Sequence, residues 1–173
     1  MILQNTEVPG HLSFQLRLFK WASETPAFGP IMGLLCSSPL RQSMLGFGSC
    51  FGDRSLIDGE FAEACIRPLA AAAGGHREIL RAIDLSWTDR LANAHARISA
   101  PIHLFWGGAD HYFPLKQARQ MATEFANRGE LHVVPHARLY VHEEAAAELA
   151  QFSLRLLAAA FASTTARARP ALA

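Results

Sequence analysis

Cysteine and net charge are both scarce in this 173-residue sequence. The three cysteines, Cys36, Cys50 and Cys65, are odd in number and share no metal-binding spacing, which favours reduced thiols over a disulfide framework. The formal net charge is only +1, and basic and acidic residues are interspersed. This balance indicates neither a nucleic acid nor an anionic membrane as a partner. Both observations argue against disulfide-rich secreted domains and polyanion-binding proteins.

Long apolar runs and cofactor motifs are also missing. No stretch is long and apolar enough to span a bilayer, and residues 1–6 lack the basic region of a signal peptide. We therefore expect a cytoplasmic protein without membrane association. The eight histidines form no His-x-x-x-His pair with an acidic third ligand, and no glycine-rich phosphate loop is present. We expect neither a metal nor a cofactor.

Half of the residues are hydrophobic, and this length is sufficient for one domain with a substantial core. Short apolar runs bounded by turn residues predict strands near Ile2-Leu3, over 102–106 and over 131–134. The resulting order is strand, helical block, strand, helix, strand, helix. It predicts an α/β fold with about three parallel strands, ending in a βαβα unit covered by helices on both faces.

The helical block covers residues 11–98, and its prolines predict several short helices in the first part. The run Ser55-Leu-Ile-Asp58 resembles a capping box that opens a helix, which we expect to end at Gly74-Gly75. One or two helices follow up to Ile98, with a break at 84–87. The predicted organisation is a first strand with the entry to the block (1–10), the helical block (11–98), an α/β portion (99–161) with helices over about 115–126 and 142–161, and a frayed tail (162–173).

The segment from Pro101 to Pro114 carries the first candidate for chemistry. Its apolar run ends in Gly107-Gly108 and is followed by Asp110. A carboxylate at the carboxyl end of a strand lies where open α/β sheets collect their ligands and catalytic groups. The alternative is an aspartate that only caps the turn before the next helix.

Together with two other segments, this one resembles the α/β-hydrolases, in the branch of the haloalkane dehalogenases and epoxide hydrolases. Residues 2–10 are similar to the family's sixth strand and cap entry. Trp106-Gly-Gly-Ala-Asp110 is similar to the loop with the catalytic acid, and 135–144 to the loop with the catalytic histidine. The resemblance implies a partial α/β-hydrolase fold with 11–98 as a cap, and Asp110 as the triad acid.

The family's nucleophile lies on a Gly-x-Ser/Asp-x-Gly elbow that, in family order, precedes residue 1. The only substitute is Ser49, within Gly46-Phe-Gly-Ser-Cys-Phe-Gly52. Phe47 and Phe51 flank it where a tight elbow needs small residues, so a loop within the cap is the favoured interpretation.

The family's histidine position is occupied by Leu139 when the run is aligned on Val141-His-Glu-Glu144. His142 is then the candidate base and His136 the alternative, because an imidazole that titrates near neutrality suits proton transfer. For His142, an ordinary first-turn helix histidine is an equally good interpretation.

Glu7 follows the first strand at the place where some haloalkane dehalogenases carry their acid. It is therefore an alternative acid or a polar residue at the cap entry. The aromatic residues Trp106, Phe47 and Phe51 suit a pocket for an apolar substrate, although aromatic residues in a helical block are more often core.

The resemblance implies hydrolysis of a small apolar ester, epoxide or haloalkane, with the nucleophile outside these residues. The alternative is a non-catalytic remnant that binds a ligand or a partner. For either, we expect self-association or pairing with a missing amino-terminal half, since the first strand would present an open edge.

Overall fold

A computed structural model of the chain describes residues 1–168. It contains three parallel strands, β1 (Ile2–Gln4), β2 (His103–Gly107) and β3 (Glu130–Val134), in the order β1-β2-β3. The α-helices in chain order are α1 (Phe14–Ser23), α2 (Phe28–Cys36), α3 (Ser38–Arg41), α4 (Arg67–Ala71), α5 (Ala73–Ala82), α6 (Thr88–His95), α7 (Leu115–Glu124), α8 (Val141–Glu144) and α9 (Ala146–Ala168). The predicted α/β fold with three parallel strands is confirmed.

The side chains of the central strand β2 alternate between the two faces of the sheet, and those of residues 104–106 are buried on both. Leu104 and Trp106 pack on one face, in an apolar cluster with Met121 of α7. Phe105 points to the other face, where it packs with Val141 of α8. A parallel strand buried in this way reads as a continuous apolar run, since helices cover both faces of the sheet.

The helical segment between β1 and β2 has an apolar cluster of its own, formed around the buried side chains of Phe28, Phe51 and Phe61. Helix α5 packs against both α1 and α2. The prediction of several short helices in the first part is confirmed, as is the break near residue 84, where a 3₁₀ turn (Leu85–Trp87) precedes α6.

The predicted capping box at Ser55 is wrong. The side chain of Asp53 caps this turn by accepting from the Ser55 backbone N–H at 2.9 Å, and only a 3₁₀ turn (Arg54–Ile57) follows. The next turn, Ala62–Ile66, is a wide π-type turn ahead of Pro68. Proline has no N–H to donate to the carbonyl four residues earlier, so a regular helix cannot run through this point.

Two predicted helix boundaries also differ. The helix expected to end at Gly74-Gly75 ends at Ala71, and the two glycines lie in the first turn of α5, which packs against α1 and α2. The last helical region begins at Val141, breaks at Ala145 and continues as α9 through Ala168, beyond the predicted end at Phe161. The remainder of the predicted tail, 169–173, lies outside the described residues.

Candidate functional site

Asp110 lies directly beyond the carboxyl end of β2, in a turn that passes very close to the loop after β3. The Gly108 N–H donates to the Val134 carbonyl at 2.8 Å, and the Ala109 N–H donates to the Ala137 carbonyl at 3.0 Å. A Cβ atom at Gly107 would lie 2.2 Å from the Arg138 carbonyl oxygen. Only glycine permits this approach, which accounts for the Gly-Gly pair before the carboxylate.

The carboxylate of Asp110 is 5% exposed and has a donor on each oxygen. The Asn5 amide donates to Oδ2, and the Tyr112 backbone N–H donates to Oδ1 at 2.7 Å. Asn5 in turn accepts from the Gly107 N–H at 2.8 Å. Asn5 therefore joins the ends of β1 and β2, and its backbone adopts a φ of +24°, uncommon for a residue other than glycine.

The net effect of this environment is to raise the pKa of Asp110 above its ordinary value. Burial raises the pKa because a desolvated carboxylate is costly, while the hydrogen bonds from Asn5 and from the backbone N–H groups of Tyr112 and Phe113 act to lower it. A carboxylate has about four acceptor sites. The donors in place therefore leave capacity for an imidazole N–H.

Next to Asp110, Tyr112 connects the sheet portion to the helical segment. Its phenol oxygen lies 2.6 Å from Ser49 Oγ and 3.5 Å from Cys50 Sγ. Burial raises the pKa of both the Tyr112 phenol and the Cys50 thiol. Ser49 is thus a buried hydroxyl paired with a phenol that its raised pKa keeps protonated, so the phenol is not available as a base for the Ser49 proton. This environment supports the interpretation of Ser49 as a loop residue.

The histidine candidates lie apart from the acid. The side chain of His142, on α8, is 44% exposed, and its Nε2 lies 3.8 Å from Glu143 Oε1. His136 is exposed in the loop after β3. Within residues 1–168, no hydrogen bond or ion pair joins either imidazole to Asp110. Leu139, which the sequence resemblance aligns with the histidine of the α/β-hydrolases, is half-buried and packs against the cluster of the helical segment.

Glu144, which was not among the predicted site residues, fastens the helical segment to the loop after β3. Its carboxylate accepts from the backbone N–H groups of Gly52 at 2.6 Å, Asp53 at 2.9 Å and Arg138 at 2.7 Å. A cleft of about 470 Å³ opens beside it, lined in part by His136, Asp53 and Leu56. Glu144 therefore has a structural role on the wall of this cleft.

The remaining candidates occupy different surroundings. Glu7 is half-buried, accepts from the Thr6 hydroxyl at 3.0 Å and lines a groove beside β1. Trp106 and Phe51 are fully buried core side chains and expose no surface to a pocket in this chain. Phe47 is half-buried, with its ring edge-on to Phe61 at 5.8 Å, and its role in a pocket stays a prediction.

Two residues that the sequence did not single out complete the site. Asn5 holds the acid, and His11 bridges the entry of the helical segment to the loop after β2. The His11 Nε2–H donates to the Tyr112 carbonyl at 3.0 Å, while Nδ1 accepts from Gln117 Nε2 at 2.8 Å. Both partners are more than 100 positions away, so no local sequence signal reveals either residue's role.

In the described part of the chain, no group of three or more His, Cys, Asp or Glu side chains has the geometry of a metal site. No helix in this part is long and apolar enough to cross a membrane.

Comparison with known proteins identifies the fold. The sequence matches no protein-family model and no curated protein sequence. A solved α/β-hydrolase-fold protein from Burkholderia ambifaria superposes with a TM-score of 0.65 over 89% of this chain, at 21% identity. A 2-hydroxy-6-oxo-6-phenylhexa-2,4-dienoate hydrolase from Rhodococcus gives a TM-score of 0.58 over 89% of this chain, at 12% identity. A thermophilic esterase gives 0.52 over 90%, at 21% identity.

The match extends to only 55%, 53% and 54% of these three chains, respectively. The chain therefore has a part of the α/β-hydrolase fold and spans about half the length of the structures it resembles. At these identities the likeness concerns the fold alone.

Proposed function

We propose that this chain is the acid-bearing part of a hydrolase of α/β-hydrolase fold that acts on a small apolar ester, epoxide or haloalkane. The observation that carries this proposal is Asp110. It is a buried carboxylate at the carboxyl end of the central strand, held by Asn5 and by the Tyr112 backbone. In this proposal the nucleophile lies outside these 173 residues.

Asp110 would hold the imidazole N–H of the catalytic base, fix its tautomer and stabilise its charged form. His142 and His136 are the two candidates, and either must move to reach the carboxylate. The base would then activate a Ser or Asp nucleophile, or the water that attacks the covalent intermediate. Phe47 is proposed as part of the apolar substrate pocket.

A second function is supported by Leu139. An apolar, half-buried side chain occupies the position of the family's histidine, and Asp110 already has donors on both oxygens. In this alternative, Asp110 is a structural acid, and the chain is a non-catalytic module that binds a ligand or a partner.

The DNA immediately before the first codon distinguishes the two functions. The hydrolase proposal expects an in-frame Gly-x-Ser/Asp-x-Gly segment there, and turnover of aryl esters, epoxides or haloalkanes by the extended protein. In that protein, Asp110→Asn should lower turnover by up to about 10⁴-fold, whereas Asp89→Asn, on an exposed part of α6, should leave it unchanged. A stop codon preceded by unrelated sequence would favour the binding module.

Substitutions in the same extended protein would identify which residues are the catalytic base and the catalytic acid. Loss of turnover on His142→Gln with wild-type rates for His136→Gln would assign the base to α8, and the reverse would assign it to the loop after β3. Loss on Glu7→Gln, with wild-type rates for Asp110→Asn, would move the acid to the residue after β1.

A further inference from the structure

Three backbone N–H groups converge on one point at the junction between the helical segment and the loop after β3. The backbone nitrogens of Gly52 and Asp53 lie 2.6 and 2.9 Å from Glu144 Oε2, and that of Arg138 lies 2.7 Å from Glu144 Oε1. Converging backbone N–H groups form a binding site for anions. In this chain the anion that occupies the site is a carboxylate of the protein itself.

The positions of these N–H groups are fixed by contacts that do not involve the Glu144 side chain. In the helical segment, the Cys50 carbonyl accepts from the Tyr140 N–H at 3.3 Å. In the loop after β3, the Ala137 carbonyl accepts from the Ala109 N–H at 3.0 Å. The three N–H groups therefore stay in place when the Glu144 carboxylate leaves them.

The Glu144 side chain can leave this position without unpacking the core. Glu144 is the last residue of α8, a helix of four residues, and the helical hydrogen bonding is interrupted at Ala145 before α9 begins. The residue is half-buried and borders the cleft of about 470 Å³ described above. A rotation of its own side chain takes the carboxylate into water, and another carboxylate can then accept from the same donors.

The remaining walls of the cleft are largely apolar. Leu56, Val134 and Ala137 line it together with the polar residues already named. Clefts of about 300–1,000 Å³ with mostly apolar walls and a few well-placed polar groups are typical of small-molecule sites. The walls and the three N–H groups together suit a small apolar molecule that ends in a carboxylate.

Two of the residues whose N–H groups form the site also carry charged side chains, and these offset each other. The Asp53 carboxylate accepts from the Ser55 N–H at 2.9 Å and from the Ser55 hydroxyl at 2.7 Å. The Arg138 guanidinium supplies the opposite charge, and its buried Nε has no hydrogen-bond partner among residues 1–168. The charge of Asp53 is therefore balanced beside the site.

We propose that this cleft binds a small apolar carboxylate, which displaces the Glu144 side chain and accepts from the three N–H groups. Because one carboxylate replaces another on the same donors, the hydrogen bonds gained and lost nearly balance. The affinity then comes from burial of the apolar part of the ligand against the walls of the cleft. The proposal uses neither the acid after β2 nor a nucleophile, so it stands apart from the proposed hydrolase function.

Benzoate is the probe for this site, and benzamide, which has the same shape without the charge, is the control. The backbone amide resonances of Gly52, Asp53 and Arg138 in the purified chain report occupancy. We expect saturable shifts of these resonances with benzoate at millimolar concentration and none with benzamide. Glu144→Ala should strengthen benzoate binding by about tenfold or more, because a tethered carboxylate no longer competes for the same donors.

Leu56→Asp tests the apolar wall of the cleft. The Leu56 side chain is 37% exposed, so an acid at this position is compatible with the fold. In the Glu144→Ala background it should weaken benzoate binding by about tenfold or more. Leu45→Asp, at a 77% exposed leucine of the same helical segment that does not line the cleft, is the matched control and should bind as the parent does.

Four results would overturn the proposal. They are the absence of saturable benzoate binding to the wild type, equal binding of benzoate and benzamide, equal affinities of the wild type and Glu144→Ala, and equal effects of Leu56→Asp and Leu45→Asp. If Glu144→Ala does not unfold cooperatively, Glu144→Gln replaces it, since an amide has only one acceptor oxygen and competes poorly for N–H groups. None of these results bears on turnover by an extended protein, so the hydrolase proposal is tested separately.

Discussion

Asn5 is the residue on which the geometry of the acid depends. Its amide donates to Asp110 and accepts from the Gly107 N–H, and all of these groups are buried. Replacing it by alanine leaves a buried carboxylate oxygen and a buried N–H without these partners. Each such loss typically costs about 1–3 kcal/mol of the free energy of unfolding.

We therefore predict that Asn5→Ala lowers the free energy of unfolding by about 2 kcal/mol or more. Asn127→Ala is the matched control, since the Asn127 amide donates to the Ser99 carbonyl at an exposed site. Its cost should stay below about 1 kcal/mol. Equal effects of the two substitutions in urea unfolding would show that Asn5 does not anchor Asp110.

The titration of Asp110 should make the free energy of unfolding depend on pH. Its pKa is raised in the folded chain, so the folded state binds more protons than the unfolded state over the interval between the two pKa values. The stabilisation is complete below the ordinary pKa of 3.8 and is lost as the pH rises through the folded pKa.

We predict that the free energy of unfolding of the wild type, minus that of Asp110→Asn, falls as the pH rises from below 3.8. Urea unfolding across this interval measures the difference. A difference that grows with pH would mean that the hydrogen bonds from Asn5 and the backbone outweigh burial and lower the pKa of this carboxyl group.

Ser49 should not act as a nucleophile in this chain. Its hydroxyl is paired with the Tyr112 phenol at 2.6 Å, and the described residues place no imidazole on it. We predict no measurable turnover of aryl esters, styrene-type epoxides or haloalkanes by the purified 173-residue chain. Turnover that disappears in Ser49→Ala would contradict this and assign the nucleophile to Ser49.

At the scale of elements, Glu144 of α8 controls how the helical segment sits on the sheet portion. Its carboxylate accepts hydrogen bonds from three backbone N–H groups, which lie in two separate loops. An amide side chain has a single acceptor oxygen and two donor hydrogens that would face N–H groups. Replacing the acid by its amide therefore removes bonds without changing the size of the side chain.

We predict that Glu144→Gln speeds amide hydrogen exchange at Gly52, Asp53 and Arg138, and lowers the free energy of unfolding by about 1–3 kcal/mol. Glu143→Gln is the control: it is the neighbouring residue, with a side chain 43% exposed. If amide exchange at these three residues is the same in the two variants, the contact between the helical segment and the loop after β3 does not depend on Glu144.

At the scale of the whole molecule, α1 presents an exposed apolar stripe. Phe14, Leu18 and Trp21 lie on one helical face, with exposures of 72%, 46% and 66%. Exposed apolar faces of this kind mark interfaces or sites of aggregation.

We predict that the purified chain self-associates with increasing concentration, and that the double substitution Phe14→Ser, Trp21→Ser reduces the association. Light scattering measures the apparent mass, and Leu154→Ser, an equally exposed position on α9, is the control. A monodisperse monomer at all concentrations would show that the chain is self-sufficient as a domain.

Much of the architecture could be predicted from the sequence because its determinants are local. The run before Gly107-Gly108 is apolar except for His103, and a short run of this kind bounded by turn residues is typical of a strand buried on both faces. The division of residues 11–45 into short helices is also a local effect, because proline disrupts the interior of a helix. The prediction at Ser55 was wrong because Asp53 and Pro68 override the local pattern.

The tertiary structure alone decided the partners of the acid. Asp110 was identified from its place after a strand, but Asn5 lies 105 positions away and reaches it only because β1 and β2 pair in parallel. Glu144 likewise meets Gly52 across 92 positions. A sequence pattern specifies which face of an element is apolar. It does not specify which distant polar groups meet, because that depends on how the elements pack.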